Sequence, residues 1–112
     1  MSSLSIKPTP QFHFELITPS KVLFSEEVYE VVLPTKQGEI AVLADHIAYL
    51  SGLQRGVISV VRQKGQSPQP LCEVDNGFVE FHHNHLSVVS SAVRVSLFQS
   101  NNEPQNRSNE LN

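Results

Sequence analysis

Turn-forming residues interrupt this chain at intervals of about eight to twelve residues, a spacing that leaves room for short strands and for little else. Pro19, Pro34, Pro68 and Pro70 remove backbone donors, and Gly38, Gly52, Gly56 and Asn76-Gly77 supply permissive turns. Between these breaks the apolar residues alternate. In 12–18, Phe12, Phe14 and Leu16 share one face, with His13, Glu15 and Ile17 on the other. Residues 22–24 read as a short return strand and 25–27 as a polar connection. The β-branched run 28–33 reads as a central strand that Pro34 stops. Residues 35–38 form a polar turn in which Gly38 is free to take positive φ. Residues 40–43 form the next strand, and Asp45-His46 makes a corner. In 47–53, Ile47, Leu50 and Leu53 fit helical spacing, but a strand fits as well, and Gly52 and Gly56 limit any helix to about two turns. Strands follow over 57–63 and 71–74, separated by the loop 64–70. Asn76-Gly77 is the type of pair that hairpin turns need, and 78–82 pairs with 86–93 across His83-Asn84-His85. The expectation is an all-β sandwich or barrel.

Size and charge narrow the class further. The chain of 112 residues is one domain's worth, and 39% hydrophobic residues suffice for a packed core. A net charge of −3 with no long basic run argues against a nucleic-acid partner held through many phosphates. The lone Cys72 permits no internal disulfide and no four-cysteine zinc site. No run approaches the roughly 20 apolar residues of a membrane span. The start has neither the pattern of a signal peptide nor the arginines of a transit peptide. The expected organisation is a flexible leader over 1–11, a β-sandwich domain over 12–95 and a disordered polar tail over 96–112. From Gln99 onward, Leu111 is the one strongly apolar residue.

The chemically suggestive groups are few. His82-His83-Asn84-His85 invites a metal reading, yet His82 and His83 would face opposite sides of a strand, and no further ligand lies nearby in sequence. Asp45-His46 with Ser51 could be hydrolase parts, but the nucleophile-elbow pattern is absent; a corner in which Asp45 caps the following turn is the plainer account. Gly38-Glu39 lacks the second glycine and the lysine of a phosphate loop. Cys72 has no basic neighbour to activate it and is expected to be a buried structural thiol. On the residues alone the expectation is a small β domain, a binding or scaffold module in preference to an enzyme.

Several pieces, in order, resemble a known family. Phe14-Glu15-Leu16-Ile17-Thr18-Pro19 and Val22-Leu23-Phe24-Ser25 resemble an opening hairpin. Val31-Val32-Leu33-Pro34-Thr35, Gly38-Glu39-Ile40 and Val42-Leu43 resemble third and fourth strands. His46, Leu50, Leu53 and Gly56-Val57-Ile58 follow, then Asn76-Gly77-Phe78-Val79-Glu80 as a glycine-phenylalanine hairpin and Leu86-Ser87-Val88-Val89 as a last strand. The set resembles the N-terminal β-sandwich of the epsilon subunit of F-type ATP synthases over about residues 12–93. There are departures: Ala41 stands where the family usually has glycine, and Ile47-Ala48 stands where Ala-Pro often follows the histidine. Nothing after Val93 reads as the two-helix hairpin of typical members.

The resemblance implies a flattened sandwich of about ten short strands and a non-catalytic rotor subunit of the central stalk. It would couple proton or sodium translocation to ATP synthesis without cofactor or metal and without the helical inhibitory domain. Its implied partners are the gamma subunit, the polar loops of the c-ring and, through the complex, the catalytic head. Carried over by position, Lys36, Gln37, Gly38 and Glu39 are candidates for c-ring contact; Thr18, His46, Ile47 and Leu50 are candidates for gamma contact. The two loops are expected together at one end of the sandwich. The implied location is peripheral, on the cytoplasmic face of a bacterial inner membrane, in preference to an organelle inner or thylakoid membrane. A small metal-binding or hydrolytic β domain using His46 or the His82–His85 cluster is the alternative. A free regulator that binds gamma outside the synthase is a third reading.

Overall fold

Alternation along each short segment forces one side of it inward, and two sheets meet on those sides. A computed structural model describes residues 9–95; the expected tail over 96–112 and most of the leader lie outside the described residues. Ten strands follow in order: β1 (Phe12–Ile17), β2 (Val22–Val28), β3 (Glu30–Thr35), β4 (Gly38–Leu43), β5 (Tyr49–Gly52), β6 (Gly56–Val61), β7 (Gln69–Val74), β8 (Phe78–His82), β9 (His85–Val89) and β10 (Val93–Arg94). No helix occurs among the described residues. The first sheet has the order β2-β1-β9-β8-β5 and the second β10-β7-β6-β3-β4. β1 and β9 run parallel, and the remaining pairs are antiparallel.

The core is the product of period-2 phase. Phe12, Phe14 and Leu16 of β1 face inward with Val79 and Phe81 of β8 and Leu86 and Val88 of β9. Val31 and Leu33, Val42, Ile58 and Val60, and Cys72 and Val74 meet them from the second sheet. Phe12 sets its ring edge-on to Phe81 at 5.5 Å, a favoured geometry for aromatic pairs. At the open edge, Arg62 reaches across from the end of β6 to Glu26 of β2 (3.0 Å) and lies over the Phe24 ring.

Several local readings change. Ser25-Glu26-Glu27 is not a connection: β2 runs through it, paired to β1 from Phe24 to Val28. An edge strand tolerates that polarity because one of its sides meets water. The expected central strand 28–33 is divided at Tyr29, where the chain changes sheets. Pro34 does not stop β3. Its carbonyl accepts from the Gln54 N–H (2.8 Å). Its missing donor would point to that same side, where β3 and β6 pair only as far as Val32. Residues 47–53 hold a strand, β5, and no helix. His83-Asn84 is a two-residue hairpin turn with both φ values positive (52° and 58°), as the primed turns require.

Asn76-Gly77 makes a tight turn but not a hairpin, because β7 and β8 lie in different sheets. The turn is a crossing point shared with others. Gly77 O accepts from Leu53 N–H (2.9 Å) between β5 and β6. The buried Ser90 hydroxyl, just past β9, donates to Asn76 O (2.6 Å) and accepts from Ala92 N–H (3.2 Å). Residues 86–93 therefore do not form one strand: β9 ends at Val89, and β10 belongs to the other sheet.

A Cβ on Gly77 would stand 2.0 Å from Val89 O with φ at +133°, whereas one on Gly38, at φ +110°, would meet nothing within 4 Å. Gly38→Ala is expected to cost about 1–2 kcal/mol of backbone strain. Gly77→Ala must displace main chain and is expected to cost more than about 4 kcal/mol or abolish folding. Urea unfolding of both variants checks the contrast.

Candidate interaction surface

The β3–β4 loop, residues 36–39, is polar yet firmly held. Thr35, almost fully buried, donates its hydroxyl to Gly38 O (2.6 Å) and accepts from Gln37 N–H (3.1 Å). Lys36 N–H donates to Gly52 O (3.0 Å), tying the loop to the other sheet. The Lys36 stem lies along Gly52, whose added Cβ would meet Lys36 Cδ at 3.1 Å. The Tyr49 hydroxyl donates to Gln37 Oε1 (2.8 Å) and stands 3.2 Å from Thr35 Oγ1. Glu39, the second residue of β4, is exposed.

The corner between β4 and β5 is built differently. Asp45 takes φ 66°, and His46 N–H donates to Leu43 O (3.2 Å). His46 Nδ1 donates to Ile47 O (2.7 Å), and its ring stands edge-on to Phe81 (5.8 Å) and Tyr49 (6.2 Å). The histidine is thus a half-buried wedge under the corner. With the wedge below, Ile47 is pushed out to 78% exposure and Leu50 stands at 71% on the outer face of the first sheet. Asp45 does not cap the following turn: its carboxylate accepts from the side-chain amide of Asn84 (3.0 Å).

The candidate residues are not gathered at one place. The loop 36–39 and the corner at His46 lie at opposite ends of β4, about 20 Å of strand apart. Thr18 follows Ile17, whose row across the sheet runs through Val89 and Phe78 to Gly52. That places Thr18 at the end holding Lys36, and away from His46. Thr18 closes the β1–β2 turn, donating from its hydroxyl to Lys21 O (3.1 Å). Ile47 and Leu50 do share the β5 edge of the first sheet.

Sequence reasoning also misses an exposed aromatic. Phe78 is 57% exposed, and with Leu50, Glu80, Ser87 and Val89 it lines a shallow cleft of about 140 Å³ on the outer face. The signal exists in the alternation: Phe78 is in phase with Glu80 and His82, while Val79 and Phe81 point inward. Reading Asn76-Gly77 as a hairpin hides which side of β8 faces out.

The reactive alternatives lose their geometry. Among the described residues no three His, Cys, Asp or Glu side chains gather as a metal site. His82 and His83 stack on each other at 4.0 Å. His85 instead meets Glu15 (3.3 Å), and His13 bridges Glu27 and Ser25 (2.8 Å each). Ser51 donates to Gly52 O (3.1 Å), not to His46, and Asp45 is engaged with Asn84. The metal-binding or hydrolytic reading is therefore not supported. Cys72 is fully buried, as expected, and burial pushes its thiol up to about 12.

Residues 11–95 match the ATP synthase delta/epsilon chain β-sandwich domain. The chain belongs to that family. It is 38% identical over 84 residues to an ATP synthase epsilon chain of Pelagibacter ubique, covering 74% of this chain and 62% of that protein. It is 45% identical over 85 residues to one from Chelativorans, covering 75% and 62%. It thus spans less than two thirds of the length of these relatives. Two solved assemblies share its fold. A chain of the Euglena gracilis mitochondrial ATP synthase OSCP/F1/c-ring structure has a TM-score of 0.68 at 18% identity, covering 81% of this chain and 57% of its own length. A chain of the Tetrahymena thermophila mitochondrial ATP synthase central stalk/c-ring structure has a TM-score of 0.64 at 14% identity, covering 88% and 77%.

Two outcomes test this local architecture. Tyr49→Phe removes the hydroxyl that holds Gln37 and is expected to lower unfolding free energy by about 1 kcal/mol, measured by urea titration. Cys72, buried and protonated near neutral pH, should resist a thiol-specific disulfide reagent in the native protein and react at once in guanidinium.

Proposed function

We propose that this chain is a non-catalytic rotor subunit of an F-type ATP synthase central stalk. In this reading it binds the gamma subunit and the polar loops of the c-ring and couples proton or sodium translocation to ATP synthesis. It reaches the membrane only through the complex, on the cytoplasmic face of a bacterial inner membrane. Support comes from relatives named as ATP synthase epsilon chains and from the central-stalk and c-ring assemblies in which the same fold occurs.

The observation that carries the reading is the apolar pair Ile47 and Leu50, raised at the β4–β5 corner and the strand after it, with Phe78 beside Leu50 on the same outer face. Exposed apolar groups on a fixed scaffold suit an anchor, since interface anchors are desolvated side chains within a polar rim. Here that rim is Glu80, Ser87 and Glu15. We assign gamma contact to Ile47 and Leu50 over the half-buried wedge of His46. The held polar loop Lys36–Gln37–Gly38–Glu39 suits the polar loops of a ring at the other end of β4. Thr18 shares the end of the loop, so a contact from Thr18 belongs with the ring side of the assembly or with a gamma surface long enough to span both ends.

A rotor subunit transmits torque, so it needs stiffness and grip rather than a reactive group. The continuous hydrogen-bonded sheets and the tethered loops supply the first, and the exposed anchors the second.

The test is affinity for the gamma subunit of the same cell. Ile47→Asp with Leu50→Asp should weaken it at least about thirtyfold, two kcal/mol being a typical threshold for an anchor residue. The fold should be unchanged within about 0.5 kcal/mol, because both side chains are exposed. Wild-type affinity in the double variant, measured by surface plasmon resonance, removes the gamma assignment. Glu39→Lys should leave gamma binding intact and reduce co-purification with the c-ring.

A further inference from the structure

The corner that carries Ile47 has few ties of its own. Between Leu43 and Tyr49 its backbone makes one internal bond, His46 N–H to Leu43 O. Its polar hold on the rest of the sheet comes from a residue 39 positions away. Asn84, at the tip of the β8–β9 hairpin, accepts from Asp45 N–H through Oδ1 (2.6 Å) and donates from Nδ2 to Asp45 Oδ1 (3.0 Å). Its own carbonyl accepts from His13 N–H at the start of β1 (3.0 Å). One asparagine therefore joins the corner, the hairpin tip and the first strand.

Two features make this more than a surface contact. Asp45 and Asn84 both hold positive φ, 66° and 58°, and asparagine and aspartate are the non-glycine residues best suited to that region. The polarity is also fixed. A carboxylate can only accept, so Nδ2 must face Asp45, and Oδ1 is left for the backbone N–H. The amide cannot be turned over without losing both bonds.

We propose that Asn84 is a positioning residue for partner binding: its two-bond clasp on Asp45 sets the angle at which the Ile47 corner is presented. The inference rests on the reading of that corner as a gamma-binding surface. A preorganised loop binds more tightly because less ordering remains to be done on association.

The polarity of the clasp makes it testable by substitution of like for like. Asn84→Asp sets two carboxylates against each other and removes the side-chain donor. Asp45→Asn keeps both bonds, since its side-chain oxygen still accepts. The double variant D45N/N84D restores both bonds, with donor and acceptor reversed in the one between side chains. Backbone φ preference is preserved throughout. The readouts are exchange of the backbone amide proton at position 45 with water, by NMR, and affinity for the purified gamma subunit. N84D should speed that exchange and weaken gamma binding, each by about tenfold, the equivalent of one hydrogen bond near the top of the ordinary net range. D45N should stay near wild type, and D45N/N84D should recover both readouts. A plain loss of stability would not be reversed by the second substitution. Unchanged amide exchange in N84D overturns the clasp. So does faster exchange with wild-type gamma affinity, provided that Ile47→Asp with Leu50→Asp abolishes binding. If that apolar pair proves dispensable for gamma, the gamma assignment fails, and amide exchange at position 45 alone decides whether Asn84 sets the corner.

Discussion

The sandwich depends on the backbone contact between Gly77 and Val89–Ser90. Here the chain enters the first sheet between β7 and β8, leaves it between β9 and β10, and passes Leu53 between β5 and β6. Three sheet-to-sheet connections thus share one small hydrogen-bonded region. The space is set by an absent side chain, because any Cβ at Gly77 would overlap Val89 O. The buried Ser90 hydroxyl donates to Asn76 O, so the hydroxyl is satisfied where it enters the core. A sandwich whose strands change sheet so often needs a place where backbones can touch.

From that region the two ends of the molecule diverge in character. At the end holding Gly52 and Thr18, the β3–β4 loop is bound through backbone and hydroxyl groups: Thr35, Tyr49 and Lys36 N–H all hold it. At the other end the corner rests on the His46 ring and the Asn84 clasp, with its apolar side chains pointing outward. The first end presents a held polar loop, with the exposed Phe78 on the outer face of the sheet beside it. The second offers apolar area on a support that a pair of side-chain bonds governs. The difference follows from which residues precede each strand, and it gives one sandwich two ends of different chemistry.

The sheet phases are legible in the residues. Phe12, Phe14 and Leu16 alternate cleanly, and so do Val79 and Phe81, so the inward face of each strand follows from period 2 alone. The hairpin tip at Asn84 is legible because asparagine suits positive φ. What the residues do not disclose is partner choice. Asn-Gly reports a tight turn but not whether the next strand joins the same sheet. Pro34 reports a missing donor but not that the β3–β6 ladder has already ended at Val32 on that side. Glu26 and Glu27 look like a connection because an edge strand and a loop share the same polarity. The candidate site suffers in the same way: Lys36–Glu39 and His46 are close in sequence, and only the extended course of β4 separates them.

Burial also sorts the histidines in a way that adjacency in the sequence conceals. His46 lies under a corner with its Nδ1 committed to Ile47 O, so its ring serves as packing for Phe81 and Tyr49. His13 and His85 stand side by side on the outer face, each against a carboxylate, Glu27 and Glu15, on a neighbouring strand. Cross-strand register, not the run His82-His83-Asn84-His85, decides their partners, because residues opposite one another on a sheet are closer than those adjacent along it on the same face. The run is what results when a two-residue turn places His82 opposite His85 and leaves His83 at the tip. Its density in histidine therefore carries no ligand geometry, and the outer face is a row of paired side chains beside an apolar cleft.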